Sequence, residues 1–445
     1  MYSNNYLRFV ILVFCALLHT ILFAQRRIQH VWIQTENNEL PSCDTIRGAG
    51  HYSICNNEYL WSTVRLILNN NEERYDSVRI RIRGNTSAYS NTPHYKLKLE
   101  HKADLMGLGY SSKEWNLMKV QGGYSLVILP IIHAFNNEIN GGWQPNYRFV
   151  ELTINDSYRG LYMIVDPIKE GKNFIQTKNS GLILENDTYW WKPGTTHFRT
   201  PYQNDDYAWT FKYPKEKNLD KQYVKSVQDF MIWAEKELYE NESPEEIWDI
   251  ESFAKYLLLQ DMICNWEVWG SNMYVVIPKF NTDKPRNSTI KMGPLWDPDG
   301  CFMLKREWSA HHLDNTFVLN EMLKNKNFFV IYKEMYDEIR PKAISIVEQT
   351  IDSLQNVYGH ELDSLIGVNN KLPYCKRIFS MNEAKENAVA VMTEHISFMD
   401  LSLMFPFVTR RGIKVTVLGV IGLLFIQVSQ VPNLPVLIDK FRRND

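Results

Sequence analysis

The spacing of apolar residues changes once along this chain of 445 residues, and that change constrains the fold more than any other feature. Residues 78–83 and 95–99 alternate apolar and polar side chains strictly, which is the period of β-strands with one solvated face. Residues 208–214 are a further strand candidate. From Tyr223 onward the apolar residues recur every three or four positions, as in amphipathic helices. We therefore predict an α+β fold with a sheet-rich N-terminal half and a helical C-terminal half.

The front half, up to about residue 175, predicts an antiparallel sheet covered by one helix at residues 125–138. Pro130 marks either a kink or a late start of that helix. Behind it, helices are predicted at four places, with the segment 243–246 supplying a helix start. These are residues 223–239, 250–264, 320–358 and 382–400. We expect one domain over 25–408, sheet-rich over 25–215 and mainly helical over 216–408.

Both ends of the chain carry apolar segments. Arg8, the apolar run 9–23 and the small residue Ala24 predict a signal peptide over 1–24, with an uncleaved membrane anchor as the alternative. This pattern predicts an exported protein, whether secreted, periplasmic or at the cell surface. The tail 409–445 is apolar over 415–426 but includes polar groups and two prolines further on. It predicts either a marginal membrane segment or a segment packed on the domain.

Composition excludes some classes of protein. The chain has 44% hydrophobic and 13% aromatic residues, which is ample for a packed core. Its net charge of −2 and the absence of a basic block interleaved with aromatics argue against nucleic-acid binding. Cys43 and Cys55 flank a short loop that a disulfide can close in an oxidising compartment.

Acids and amides are concentrated in two clusters. Glu267 is followed five residues later by Asn272, and the second cluster is the sequence Trp296-Asp297-Pro298-Asp299. Between them, two short apolar runs at 273–277 and 290–292 flank a polar turn, which predicts a β-hairpin. Such a hairpin returns Asp297 toward Asn272. The alternative interpretation is that these residues are ordinary turn formers.

This set of side chains is what phosphoryl transfer from a nucleotide requires. One carboxylate takes the proton of the acceptor hydroxyl, while an amide oxygen and further carboxylates hold Mg²⁺ against the phosphates. Protein kinases place a catalytic loop, a strand pair and a metal-binding acid in the same order.

Four segments together resemble the CotH kinase family, named for a spore coat protein. Residues 81–87 and the strand 95–99 are similar to the family's RGNSS element and lysine-bearing strand. Residues 149–162 resemble its Asn-Gly type hairpin before G-x-Y, and the two acidic clusters are the third and fourth segments. The resemblance implies a protein-kinase-like fold with the active-site cleft between the two halves. It also implies ATP and Mg²⁺ as cofactors, and a secreted or surface protein as acceptor.

The resemblance also implies roles for individual residues. Glu267 would be the catalytic base, where the family most often has Asp, and its alternative is a solvated acid. Asn272 and Asp297 would be metal ligands, with Asp299 as a ligand or supporting acid. Lys98 would contact the nucleotide.

Arg83, before the Gly-Asn turn, would be a second cationic contact to the phosphates. Without the resemblance, the cationic residues of these two strands are simply solvated faces.

Two departures from the family pattern favour a second hypothesis. The family usually has an Asp-Ser pair and an Arg where this chain has the segment 121–127, and it often has Glu where this chain has Asp166. The missing acid would position the nucleotide-binding lysine. The competing hypothesis is therefore a catalytically degenerate surface or coat scaffold with the same fold.

Overall fold

The computed structural model describes residues 26–47, 53–69, 71–178, 180–241, 244–265, 271–302 and 317–404. The predicted signal peptide and the tail 409–445 lie outside these ranges. Among the described helices, none combines the length and apolar character needed to cross a bilayer.

Seven strands of the N-terminal part close into a barrel. In chain order they are β1 (Gln29–Thr35), β4 (Leu60–Leu68), β5 (Asn71–Arg83), β6 (His94–Ala103), β7 (Ser112–Lys119), β8 (Tyr147–Ile154) and β9 (Ser157–Val165). Neighbours pair in the order β1-β4-β5-β6-β7-β9-β8, and a parallel pairing of β1 with β8 closes the ring. A separate hairpin joins β2 (Asp44–Arg47) and β3 (Ser53–Asn56), and a disulfide links its Cys43 and Cys55.

The sequence predicted an antiparallel sheet here without its closure, and the structure shows a closed barrel with one parallel pairing. The individual strands were predicted well because each alternates inward apolar and outward polar residues. The inward side chains form a core of their own inside the barrel. They include Val31, Val64, Ile80, Leu97, Trp115, Leu117, Leu152 and Ile164.

A second, five-stranded sheet has the order β11-β12-β10-β13-β14. Its strands are β10 (Leu182–Asp187), β11 (His197–Phe198), β12 (Ala208–Tyr213), β13 (Tyr274–Ile277) and β14 (Lys291–Met292). The predicted hairpin between the acidic clusters is confirmed, because Val275 pairs with Met292 in antiparallel register. The sheet draws strands from both sides of the division expected at residue 215.

Seven helices complete the described part of the chain. They are α1 (Ile128–Glu138), α2 (Lys221–Glu240), α3 (Ile250–Met262), α4 (Phe317–Met322), α5 (Lys326–Ile339), α6 (Ala343–Asn370) and α7 (Met381–Met404). Pro130 lies in the first turn of α1, so it marks a late start and not a kink. Helix α3 begins after its N-cap Asp249, while the predicted start near Pro244 is only a 3-10 turn.

The helices and the second sheet share one large hydrophobic core with α1 and the outer side of β8 and β9. It includes Phe135, Phe149, Leu184, Trp209, Trp248, Phe253 and Phe328. Mixed sheet and helix content is thus confirmed, with most of the sheet in the front half. The outward face of β5, β6 and β7 is not part of this core. It forms one wall of the candidate site.

Candidate functional site

The first wall of the site is the outward face of three neighbouring barrel strands. Strand register aligns its residues in three rows: Arg79–Lys98–Glu114, Arg81–Lys96–Asn116 and Arg83–His94. Their inward neighbours, such as Ile80 and Leu97, are fully buried in the barrel. The strict alternation seen in the sequence therefore sends Arg79, Arg81, Arg83, Lys96 and Lys98 to one side.

Arg79, Arg81 and Arg83 follow one another along β5, and the last of them lies at the second acidic cluster. The guanidinium of Arg83 lies over the ring of Trp296 at 4.8 Å from its centroid. Asp297 follows with a φ of +52°, and its carbonyl accepts a hydrogen bond of 2.9 Å from the backbone N–H of Asp299. Asp297 is half-buried and Asp299 is exposed. The structure thus brings two sequence-predicted residues, Arg83 and Asp297, to the same place.

His94 lies at the same end of the wall, and the sequence reasoning missed it. Its ring is 4% exposed, and its Nδ1 accepts a hydrogen bond of 2.8 Å from the backbone N–H of Lys119. Burial lowers the pKa of His94 to about 4, although the negative charge of Asp297 opposes this shift. The neutral ring therefore carries its proton on Nε2.

The second wall is formed by β10, β12 and β13 and contains two buried acids. Glu185 accepts a hydrogen bond of 2.8 Å from the hydroxyl of Tyr274, and it forms an ion pair with Lys212. Burial raises the pKa of Glu185, while Lys212 lowers it and Asp187 raises it further. The same two carboxylates raise the pKa of Lys212 against the effect of its burial.

Asp187 fixes the turn that carries Asn272. Its Oδ1 accepts a hydrogen bond of 2.7 Å from the hydroxyl of Ser271, the residue directly before Asn272. The same hydroxyl interacts with Thr188 at 3.0 Å. Ser271 thus contacts Asp187 on β10 and Thr188 directly after it. These contacts attach the start of the β13–β14 hairpin, where Asn272 lies, to the central strand of the second sheet.

The two walls meet at a hydrogen bond between side chains. The ammonium of Lys192 donates to Oδ1 of Asn85, at 2.9 Å, just after the Arg83-Gly84 end of β5. Burial lowers the pKa of Lys192, and the positive charge of Arg81 shifts it in the same direction. Lys192 of the second wall therefore lies close to the arginines of the first wall, with its ammonium partly removed from water.

The strand lysine nearest to the acidic cluster is Lys96, one row closer than Lys98. Its ammonium forms an ion pair of 2.8 Å with Glu114, and burial lowers its pKa. Lys98 lies four residues from His94, or about 13 Å along the strand. A carboxylate partner for a strand lysine thus exists in this chain, but it comes from β7 and not from the segment 121–127.

That segment has a structural role. The backbone N–H groups of Gly122 and Gly123 donate to the carbonyls of Lys376 and Arg377, which joins the barrel to the link between α6 and α7. Asp166 is the other departure from the family pattern. It is buried and accepts hydrogen bonds from Tyr110 and Asn146, which are both partly exposed. Burial is the main cause of its raised pKa.

Glu267, the predicted base, falls in the segment 266–270, outside the described residues. Both flanks of that segment are fixed. Asn265 is buried and its amide donates to Gln260 at 2.7 Å, while Ser271 is held by β10. The backbone N–H of Phe302 donates to the carbonyl of Ile263, so the chain beyond Asp299 returns to the end of α3.

Magnesium ligands in proteins are carboxylate and amide oxygens, usually one or two carboxylates with several waters. Asn272 and Asp297 supply oxygens of this kind. No group of three or more His, Cys, Asp or Glu side chains able to hold a metal occurs among the residues whose placement is described. The described residues therefore form no closed protein cage, and a Mg²⁺ ion held by Asn272 and Asp297 would take its other ligands from water and nucleotide.

Several site residues escaped the sequence reasoning because they look like ordinary solvated residues locally. For two of them the sequence does contain a signal of a functional site. Glu185 and Asp187 stand at the end of a strand that begins with the apolar run 182–184. The contacts of Lys192 with Asn85 and of His94 with Lys119 join residues 107 and 25 positions apart, so no local pattern indicates them.

Comparison with known proteins gives two findings. The family model described as "CotH kinase protein" matches residues 80–398, well over half of the chain. Among solved structures, the proinflammatory kinase CtkA of Helicobacter pylori aligns over 82% of this chain and 97% of its own, with 10% identity and a TM-score of 0.28. A TM-score this low supports no argument about the site. No curated protein matches the sequence.

Proposed function

This chain belongs to the CotH kinase family, and on that premise we propose that it is an exported, kinase-like enzyme that transfers a phosphoryl group from ATP to a hydroxyl of a secreted or surface protein. The barrel and the helical part would then correspond to the two lobes of a kinase, with the cleft between them as the active site.

One observation carries the proposal. Arg83 lies over Trp296, so the cation-lined face of the barrel ends directly beside Asp297. Phosphoryl transfer needs this juxtaposition of cations and a metal-binding carboxylate, because both compensate charge on the transferring phosphoryl group. Among the described residues neither Arg81 nor Arg83 forms an ion pair, and the buried Nε of Arg81 has no hydrogen-bond partner, so both cations would be available to phosphate oxygens.

The chemistry assigns one task to each group. Glu267 accepts the proton of the acceptor hydroxyl as that oxygen forms its bond to the γ-phosphorus, and the bond from the γ-phosphorus to the leaving oxygen of ADP breaks. Bound Mg²⁺ neutralises charge on the phosphates. Asn272 and Asp297 are the residues that would hold it, with Asp299 in support.

The cations of the first wall would hold the phosphates. Arg83 and Arg81 present planar guanidinium groups, and Lys96 is a compact charge whose position is fixed by Glu114. The pair Lys96–Glu114 takes the place of the lysine–carboxylate pair that positions phosphates in kinases. The predicted phosphate contact through Lys98 stays a prediction, and the register favours Lys96 for that task.

Export rests on the N-terminal pattern at residues 1–24. The disulfide between Cys43 and Cys55 supports it, since disulfides persist in oxidising compartments.

Two measurements test the function. First, ATP with Mg²⁺ should raise the melting temperature, because a ligand at 100 times its Kd stabilises the native state by about 2.7 kcal/mol. Second, radiolabel should pass from γ-labelled ATP to an acceptor protein with the wild type, but not with Asp297→Ala. The matched control is Asp283→Ala, which removes an exposed aspartate from the loop of the same hairpin.

Equal incorporation by the wild type and Asp297→Ala would refute the assignment of the site. A thermal shift without any transfer would favour the degenerate scaffold that still binds nucleotide.

A further inference from the structure

The cationic face of the barrel continues beyond the part assigned to the phosphates and reaches the surface. We call this continuation the outer strip, and define it as Tyr59, Trp61, Arg79 and Lys98. Strand register places Trp61 beside Arg79 and Arg79 beside Lys98 across β4, β5 and β6. Arg79 lies four residues from Arg83 along β5, or about 13 Å, so the strip is a position separate from the acidic cluster.

Arg79 is held by aromatic rings and not by an acid. Its guanidinium lies 5.4 Å from the ring centroids of both Tyr59 and Trp61. No carboxylate within the described ranges forms an ion pair with Arg79 or Lys98, and Glu114, which stands opposite Lys98 in the strand register, is paired with Lys96. Rings that contact the face of a guanidinium leave its N–H edge available for a carboxylate. The strip is therefore positively charged and preorganised.

Trp61 gives the strip an apolar contact. It is 46% exposed, which is unusual for a side chain that can bury so much area. Exposed tryptophan and arginine together are typical of the anchoring residues of protein interfaces. The chain as a whole has a net charge of −2, so this concentration of uncompensated cations is local.

We propose that the outer strip binds an acidic segment of the acceptor polypeptide. Identifying the partner as the acceptor rests on the proposed function, whereas the binding itself does not. Carboxylates of the segment would receive hydrogen bonds from Arg79 and Lys98, and its backbone or apolar groups would pack on Trp61. An extended peptide covers about 13 Å in four residues. The acidic residues would thus stand about four positions from the hydroxyl that is phosphorylated.

The test measures peptide binding without nucleotide. The probe is a fluorescein-labelled peptide with one serine and four glutamates that begin three residues from it, and its counterpart has glutamine in place of glutamate. Fluorescence anisotropy is read for the wild type, Arg79→Glu, Trp61→Ala and Arg74→Glu. Arg74 lies on the same strand and is exposed, so it provides the same charge change outside the strip.

We expect the wild type to bind the glutamate peptide roughly tenfold or more tightly than the glutamine peptide, because the charges are complementary. Arg79→Glu should remove this preference, Trp61→Ala should weaken binding of both peptides, and Arg74→Glu should change neither. Melting temperatures show that each variant is folded.

Two results would overturn the proposal. One is an equal loss with Arg79→Glu and Arg74→Glu, or no loss with either. The other is tighter binding of a single-stranded oligonucleotide of the same charge, lost in Arg79→Glu, which would make the strip a nucleic-acid surface. Failure to phosphorylate the bound serine would count against the proposed function alone, because the preference for glutamate is measured independently.

Discussion

Lys119 offers the sharpest test of how the barrel is joined to the helical part. This lysine ends β7 and is only 4% exposed. Its ammonium donates to Oδ1 of Asn369 on α6 at 2.6 Å and to the carbonyl of Arg159 at 2.9 Å, and it lies 4.9 Å from the ring centroid of Tyr162. These three partners are neutral. Replacing Lys119 by methionine removes the charge while keeping an unbranched side chain of similar length.

The lowered pKa of Lys119 makes the stability of the folded protein depend on pH, in a direction that can be derived. Burial lowers the pKa of Lys119 from 10.5 to about 8, and Cys375 opposes the shift. The unfolded chain therefore binds more protons than the folded one between these values, so the stability of the wild type rises with pH there. Each pH unit of that window is worth about 1.4 kcal/mol, or roughly 3 kcal/mol over the whole window.

Urea denaturation at pH 7.5, 8.5 and 9.5 measures the effect. The free energy of unfolding of the wild type minus that of Lys119→Met should increase by about 1 kcal/mol between pH 8.5 and 9.5. Other lysines with lowered pKa, such as Lys96 and Lys169, are present in both proteins and cancel in the difference. The same series in a Cys375→Ser background removes the thiol as a cause. A difference that stays flat with pH would refute the buried contact with neutral partners.

Two further variants test other parts of the structure by urea denaturation. Gly160→Ala should destabilise the protein by about 3 kcal/mol, because φ is +89° and the new Cβ would lie 2.4 Å from Asn369. Gly194→Ala, with φ of +75° and open space around it, should cost only about 1 kcal/mol, and equal losses would contradict the close approach. Glu185→Leu should lower the free energy of unfolding by about 2–3 kcal/mol, because it leaves Lys212 without its ion-pair partner. The loss is limited because the Lys212 side chain is 35% exposed and can partly regain water. Glu185→Gln should cost less, and the reverse order would contradict the described ion pair.

The strands and helices could be predicted because their signals are local. Alternation at residues 78–83 and 95–99 identified β5 and β6, and the apolar runs around the polar turn identified the β13–β14 hairpin. The closure of the barrel could not be predicted in the same way. It depends on the parallel pairing of β1 with β8, whose partners, such as Val31 and Leu152, are far apart in sequence.

The candidate site could be predicted only in part, because motifs are local whereas contacts between distant segments are not. Asp297 and Arg83 were identified by motif, but the contact of Arg83 with Trp296, the residue before Asp297, joins segments that are distant in sequence. A two-residue period puts Lys96 and Lys98 on the same face, so only the pairing with Glu114 distinguishes them. The burial of Glu185 could not be inferred, because an isolated acid at a strand end usually is solvated. The role of Glu267 stays a prediction, since the residue lies outside the described ranges.

The central claim is that Asn272 and Asp297 hold one divalent ion beside Arg83, at the end of β5. Crystals grown with a non-hydrolysable ATP analogue and Mn²⁺ in place of Mg²⁺ test it by anomalous diffraction. The account predicts one strong peak at about 2.1–2.2 Å from a carboxylate oxygen of Asp297, with the amide oxygen of Asn272 in the same coordination shell and the phosphates near Arg83. An ion and nucleotide bound elsewhere, with Asp297 and Asn272 facing solvent, would contradict it.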